Sequence, residues 1–123
     1  MVIDFESPEL FQNWQKEIGD LAERLTVQKT GRGYHAILRC KEPGGNAKLA
    51  KTAEGGTLIE TRANGGYIMA APSLHPNGKR YELAQGNLTA VSNFSMADVD
   101  RLLLAAKRLD QTPKAEPENP WAA

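Results

Sequence analysis

The sequence predicts an α+β domain in which a mostly antiparallel sheet packs helices against one of its faces. Apolar residues recur at helical spacing in one segment near the start of the chain and in another near its end. Between these segments, short runs of alternating apolar and polar residues are separated by Gly-rich turns, which is typical of antiparallel strands. A length of 123 residues suits one such domain with a modest core.

The chain begins with a predicted strand followed by a predicted helix. In MVIDFES, alternation places Ile3 and Phe5 on one face of the strand and Asp4 and Glu6 on the other. The segment SPELFQNWQKEIGDLAERL then predicts an amphipathic helix, because Ser7 suits the N-cap and is followed by proline and glutamate. The apolar face of this helix is formed by Leu10, Phe11, Trp14, Ile18, Leu21 and Leu25.

The centre of the chain predicts a series of strands. TVQKT and YHAILRC form a hairpin through GRG, and residues 41–56 form a polar, Gly-rich loop with a short helical turn at 47–51. TLIETR, YIMAA and RYELA are the next strands, and a last short strand is predicted at 88–91. All the predicted strands except the first therefore lie between the two predicted helices.

The end of the chain predicts a helix and then a linker. Ser95 and Asp98 form a capping box at the start of SMADVDRLLLAAKRL, whose apolar residues recur at helical spacing. The Pro-rich, polar residues 111–123 predict a disordered linker, so the domain is expected to span residues 1–110.

The composition excludes some classes of protein. Fifteen basic residues balance fifteen acidic ones, so no overall positive field indicates nucleic-acid binding, although a local basic groove stays compatible with a neutral total. A single cysteine excludes an internal disulfide and suits a reducing compartment. The sequence contains no signal peptide or long apolar span, and it therefore predicts an intracellular, cytoplasmic protein without a membrane partner.

Polar side chains occur where the strand patterns do not require them. Asp4 and Glu6 share a strand face, His35 follows a turn that contains Arg32, and Glu60 lies within TLIETR. The loop PSLHPNGK adds three more, Ser73, His75 and Lys79. Three carboxylates with a histidine and several cations suit a metal-assisted phosphoryl or nucleotidyl transfer, because Mg²⁺ and Mn²⁺ bind carboxylate oxygens together with substrate phosphates.

Each of these signals also has a simpler interpretation. Two acids at alternate strand positions are more often a solvated strand face than a metal site. Glu60 and Arg62 can form an ion-pair pattern on an exposed face, and PSLHPNGK has the composition of an ordinary turn. The combination of the signals on one sheet face favours the functional interpretation.

Three stretches, MVIDFES, TGRGYHAILRC and TLIETRANGGYIMAAPSLHPNGKRYEL, resemble in this order the primase-polymerase (prim-pol) family of the archaeo-eukaryotic primase superfamily. The resemblance covers about residues 1–83 and implies an RRM-like catalytic module with an acidic active site on the open face of the sheet. It implies that Asp4, Glu6 and Glu60 bind Mg²⁺ or Mn²⁺ and act in catalysis with His35. A serine often lies two residues before this histidine, whereas this chain has Gly33. The implied nucleotide-binding residues are Arg32, His35, Ser73, His75 and Lys79.

The resemblance also implies the reaction and its partners. The expected activity is template-dependent nucleotidyl transfer by a DNA primase/polymerase that uses two divalent metal ions, nucleoside triphosphates, a single-stranded DNA template and a primer. Such enzymes occur in plasmids, phages and mobile elements. A further α/β unit usually precedes the first motif, which here starts at residue 4, so an isolated module with impaired activity is expected. The linker implies a downstream helicase or primer-binding domain.

Two other functions stay open from the residues. A non-catalytic module that binds nucleotides or single-stranded nucleic acid would stack bases on aromatic side chains, for which Tyr34, Tyr67 and Tyr81 are candidates. A metal-dependent nuclease would use the same acids for hydrolysis. A purely structural role leaves the third stretch unexplained.

Overall fold

The computed structural model describes residues 1–62 and 82–112 and confirms the α+β fold class. Six antiparallel strands form one sheet in the order β5-β6-β1-β3-β2-β7, and β4 pairs with β8 in a small parallel sheet. This arrangement is consistent with the predicted RRM-like fold. The strands are β1 (Val2–Phe5), β2 (Thr26–Lys29), β3 (Tyr34–Ile37), β4 (Arg39–Cys40), β5 (Ala47–Lys51), β6 (Thr57–Arg62), β7 (Glu82–Gln85) and β8 (Asn93–Phe94), and the helices are α1 (Pro8–Ile18) and α2 (Met96–Lys107).

The hydrophobic core lies between the large sheet and the two helices. Ile3 and Phe5 are fully buried, and the Phe5 ring packs 4.7 Å from that of Trp14 and 5.3 Å from that of Phe11, measured between centroids. The Trp14 indole N–H donates a buried hydrogen bond of 2.9 Å to the carbonyl of Leu102, which joins α1 to α2. Strand alternation therefore directs the neighbouring residues of β1 to the opposite face of the sheet.

The start of each helix agrees with the sequence prediction. The Ser7 hydroxyl accepts a hydrogen bond from the backbone N–H of Leu10, and proline occupies the first turn of α1. The Ser95 hydroxyl accepts a hydrogen bond from the backbone N–H of Asp98 at the start of α2. These caps satisfy backbone donors that have no partner within a helix.

The end of the first helix was predicted wrongly. The α-helix stops at Ile18, because Gly19 adopts a positive φ of 57°, and a 3-10 helix continues from Gly19 to Arg24. Leu21 and Leu25 are still buried, so the apolar periodicity marks the core-facing residues but not the helix type.

Two further predictions of local structure were wrong. The segment expected to hold a helical turn forms strand β5, and the last short strand is Asn93–Phe94 rather than 88–91. The predicted strand YIMAA and residues 113–123 of the predicted linker lie outside the described residues, so both stay predictions. The terminal part of the described chain contacts β5, where the Gln111 backbone N–H donates to the carbonyl of Lys51.

Candidate active site

Five polar side chains lie opposite one another on neighbouring strands, on the face of the sheet away from the helices. The strand register pairs Lys48 with Glu60, Glu60 with Asp4, Asp4 with His35, and His35 with Gln28. Directly opposed residues on adjacent strands point to the same face and lie within contact distance. These five residues are called the polar row.

Asp4 and Glu60, called the acid pair, occupy the centre of the polar row. The Arg62 Nη2 atom lies 2.9 Å from Glu60 Oε1 and 3.9 Å from Asp4 Oδ2, so one guanidinium nitrogen approaches both carboxylates. The Asp4 side chain is 15% exposed and that of Glu60 is 25% exposed. An ion pair between Glu60 and Arg62 on an exposed face was the simpler interpretation of the sequence. The structure contains this pair, adds Asp4 to it and partly buries both acids.

His35 lies between the acid pair and Gln28. Its Nε2 atom is 3.3 Å from Asp4 Oδ1, and its Nδ1 atom is 2.8 Å from Gln28 Nε2. The His35 side chain is 7% exposed, and Gln28 is completely buried. Gln28 was not predicted from the sequence, although a four-residue turn between Lys29 and Tyr34 implies the register that places it opposite His35.

Glu6 lies beyond the end of β1 and is not part of the polar row. Its backbone N–H donates to the carbonyl of Leu58, and its carboxylate oxygen Oε2 lies 3.5 Å from Nη1 of Arg32. The Arg32 side chain is 83% exposed, so this ion pair is well hydrated. The structure thus sets two of the three predicted metal ligands, Asp4 and Glu60, directly opposite one another, whereas the third contacts an arginine.

A comparison with protein-family models identifies the chain. The family described as bifunctional DNA primase/polymerase, N-terminal, matches residues 1–101. The chain belongs to the Prim-Pol family. A comparison with curated proteins found no match.

Membership of the Prim-Pol family associates the chain with DNA primase/polymerase activity, DNA replication, and nucleotide and DNA substrates. The resemblance predicted from the sequence is therefore confirmed. The family generally uses divalent metal ions, which gives the acid pair a chemical context. In the described part of the chain, neither helix is long and apolar enough to cross a membrane.

The two carboxylates of the acid pair in this Prim-Pol domain suit a divalent ion whose other coordination positions are filled by substrate and water. Among residues 1–62 and 82–112, no group of three or more His, Cys, Asp or Glu side chains is arranged to hold a metal. Mg²⁺, however, is usually held by one or two carboxylates, with water and substrate phosphates as the other ligands. The approach of one Arg62 nitrogen to both acids shows that a positive charge is accommodated there.

Gly33 occupies the position where this family often has serine, and the backbone explains the difference. A Cβ atom on Gly33 would lie 2.0 Å from the Phe5 carbonyl oxygen and 2.8 Å from the Ser7 nitrogen. The Gly33 backbone N–H instead donates to the Thr30 hydroxyl at 3.0 Å. No side-chain hydroxyl fits at position 33 unless the end of β1 moves.

Three predicted nucleotide-binding residues, Ser73, His75 and Lys79, lie outside the described residues. Their roles stay predictions, as do the catalytic and metal-binding roles of Asp4, Glu6, His35 and Glu60.

Proposed function

We propose that this Prim-Pol domain catalyses template-directed nucleotidyl transfer from a nucleoside triphosphate to the 3′-hydroxyl of a primer. The observation that supports the proposal is the position of Asp4 on a central strand, directly opposite both Glu60 and His35. Two carboxylates, which suit a divalent metal ion, therefore lie next to an imidazole that can hydrogen-bond to a phosphate.

We assign Mg²⁺ or Mn²⁺ to the acid pair, with Glu6 as a further ligand once its contact with Arg32 is released. The bound metal would supply Lewis-acid stabilisation of the charge that develops on the phosphates. Two adjacent carboxylates attract a divalent cation electrostatically. The cation would take the place of the Arg62 guanidinium between them. The proposal therefore predicts competition between the metal and Arg62.

The remaining side chains bind and orient the triphosphate. His35 donates a hydrogen bond to a phosphate oxygen, while Arg32 and Lys79 contribute positive charge. Ser73 and His75 are proposed as further nucleotide or template contacts on the family resemblance alone. These are positioning roles, since alignment of the reacting groups accounts for much of the acceleration in such transfers.

In the proposed reaction, the 3′-oxygen attacks the α-phosphorus and forms a new phosphodiester bond. The bond between the α-phosphorus and the oxygen that bridges to the β-phosphate breaks, and pyrophosphate leaves with that oxygen. The proton of the 3′-hydroxyl is lost to solvent. Release of pyrophosphate separates this reaction from hydrolysis by a nuclease, which would need no triphosphate.

Primer extension on a single-stranded DNA template tests the proposal. Wild type should extend a labelled primer in the presence of Mn²⁺ and release pyrophosphate, whereas Asp4→Asn and Glu60→Gln should each reduce extension by at least about a hundredfold. Glu9→Gln is the matched control, because Glu9 is an exposed acid in the first turn of α1. Extension that survives both substitutions, with folding intact, would refute the assignment.

The alternative of a non-catalytic binding module loses one of its candidate residues. Tyr34 stacks on Phe11 with a centroid distance of 4.5 Å and an interplanar angle of 21°, on the helix side of the sheet. Its ring therefore does not lie on the face that carries the acid pair. The other two candidate tyrosines, Tyr67 and Tyr81, fall outside the described residues. Oligonucleotide binding without extension in any metal would favour this alternative.

A further inference from the structure

Gln28 is a polar side chain buried completely in the middle of strand β2. An amide in such a place is unfavourable unless its polar atoms find partners, because it gives up its hydrogen bonds with water. Its Nε2 atom lies 2.8 Å from Nδ1 of His35, directly across the β2–β3 pair. Gln28 therefore has a specific partner in the polar row, His35. The amide of Gln28 influences which nitrogen of the His35 ring carries the hydrogen.

Two contacts, one at each nitrogen of the His35 ring, together favour one tautomer. The Asp4 carboxylate only accepts hydrogen bonds when it is ionised, so the Nε2 atom that faces Asp4 Oδ1 at 3.3 Å must carry a hydrogen to be attracted. A neutral imidazole then has an unprotonated Nδ1, which needs a donor. The amide nitrogen of Gln28 is such a donor, and the two contacts are therefore mutually consistent.

We infer that Gln28 is a positioning residue for His35, which it holds as the Nε2–H tautomer beside the acid pair. In this form His35 presents a hydrogen-bond donor to the side of the sheet where the acid pair lies. This single N–H contacts Asp4 in the free protein, and in the proposed complex it would donate to a phosphate oxygen while Asp4 binds the metal. An Nε2–H cannot itself bind a metal ion. The role toward phosphate rests on the proposed function, whereas the tautomer does not.

The burial gradient of the polar row supports a positioning role. Exposure of the side chains falls from Glu60 through Asp4 to His35, and Gln28 is fully buried. The two acids proposed to hold the metal are thus more accessible than His35 and Gln28. The buried amide contacts Nδ1, the ring nitrogen that does not face Asp4, as groups that orient a functional histidine commonly do.

Nitrogen-15 NMR of the metal-free, nucleotide-free protein tests the tautomer directly, at a pH where imidazole is neutral. The chain has two histidines, so the His35 signals are assigned as those lost in His35→Gln. The expected wild-type spectrum shows a protonated Nε2 and an unprotonated Nδ1. A protonated Nδ1 with an unprotonated Nε2 would overturn the inference, whatever the activity of the protein.

Substitutions then test whether Gln28 is the cause. Gln28→Glu replaces the donor with a nearly isosteric acceptor and should protonate Nδ1, whereas Gln28→Leu, which keeps the Asp4 contact, should lower the share of the Nε2–H tautomer relative to wild type. The matched control is Gln85→Leu, because Gln85 donates to the backbone carbonyls of Ala22 and Leu25 instead. A His35 spectrum that is identical in wild type and both Gln28 variants would refute the role of Gln28.

The link to phosphate is measured separately. In Gln28→Leu the affinity for a deoxynucleoside triphosphate should fall about tenfold, whereas the affinity for Mn²⁺ alone should not change, since the acid pair is intact. Equal triphosphate affinity in wild type and Gln28→Leu would refute the positioning role while leaving the proposed function in place. A wild type that shows the expected tautomer but binds no triphosphate would refute the proposed function alone.

Discussion

Replacement of Gly33 by alanine should destabilise the protein strongly, because no space exists for a Cβ atom. The added carbon would lie 2.0 Å from the Phe5 carbonyl oxygen, whereas close carbon–oxygen contacts in proteins lie at about 3.3–3.6 Å. The backbone must therefore move by roughly 1 Å at the junction between β1 and α1. The three nearest atoms all belong to the backbone, so no side-chain rotation relieves the contact.

The size of the effect follows from the cost of overpacking. Extra atoms in a well-packed site typically cost about 1–3 kcal/mol, and a contact with backbone belongs at the upper end of this range. For a domain of this size, about 3 kcal/mol lowers the Tm by roughly 10–20 °C. Thermal denaturation followed by circular dichroism measures the shift.

A second glycine provides the matched control. A Cβ atom on Gly45 meets no atom within 4 Å, so Gly45→Ala should leave the Tm unchanged or raise it slightly. A Tm for Gly33→Ala that equals that of Gly45→Ala would refute the close approach of the β2–β3 turn to the end of β1. The family's serine should fare no better than alanine, so Gly33→Ser is expected to destabilise equally.

Three further predictions concern a cation, a carboxylate and a helix contact. Arg62→Met should raise the affinity for Mn²⁺ by about threefold to fivefold in calorimetric titrations, because it removes the positive charge that competes for the acid pair. Asp110→Asn should lower the Tm at neutral pH, since hydrogen bonds from the Thr112 side chain and from the Lys51 backbone hold the pKa of Asp110 below its ordinary value. A carboxylate whose pKa is lower in the folded than in the unfolded protein stabilises the folded protein at pH values above the unfolded-state pKa. The Tm difference between wild type and Asp110→Asn should therefore disappear in thermal scans as the pH falls through the folded-state pKa. Trp14→Phe should cost roughly 1–2 kcal/mol in urea denaturation, because it deletes the hydrogen bond to Leu102.

Each of these three predictions has an outcome that would contradict it, and the first also has a control variant. Arg62→Lys retains the charge and should bind Mn²⁺ like wild type, so equal affinities in Arg62→Met and wild type would contradict the competition. A Tm difference for Asp110→Asn that persists unchanged at acid pH would show that its origin is not the ionised carboxylate. Trp14→Phe with wild-type stability would mean that the contact between the helices contributes nothing measurable.

The strongly periodic elements were predictable from sequence, and the irregular ones were not. Strand β6 and the start of both helices follow from local pattern and capping chemistry. Strand β5 was missed because its register shifts between Lys48 and Ala50, so that Leu49 and Ala50 are both buried and the period of two is broken. The positive φ at Gly19 similarly ends α1 within an unbroken apolar periodicity.

The candidate site was predictable in its residue types but not in its connections. Alternation alone placed Asp4 on the polar face of its strand. It did not show that β1 lies between β3 and β6, which is what sets Asp4 opposite His35 and Glu60. Strand order depends on the packing of the whole domain, and local patterns do not encode it. The burial of Gln28 depends on the same long-range arrangement.

The most direct test of the account is a calorimetric titration with a deoxynucleoside triphosphate, with and without Mn²⁺. It compares wild type, the Asp4→Asn, Glu60→Gln double variant and the Glu9→Gln control. The account predicts metal-dependent triphosphate binding in wild type and the control, and its loss in the double variant. Binding of equal strength in all three proteins, regardless of Mn²⁺, would contradict the claim that the acid pair holds the metal for the nucleotide.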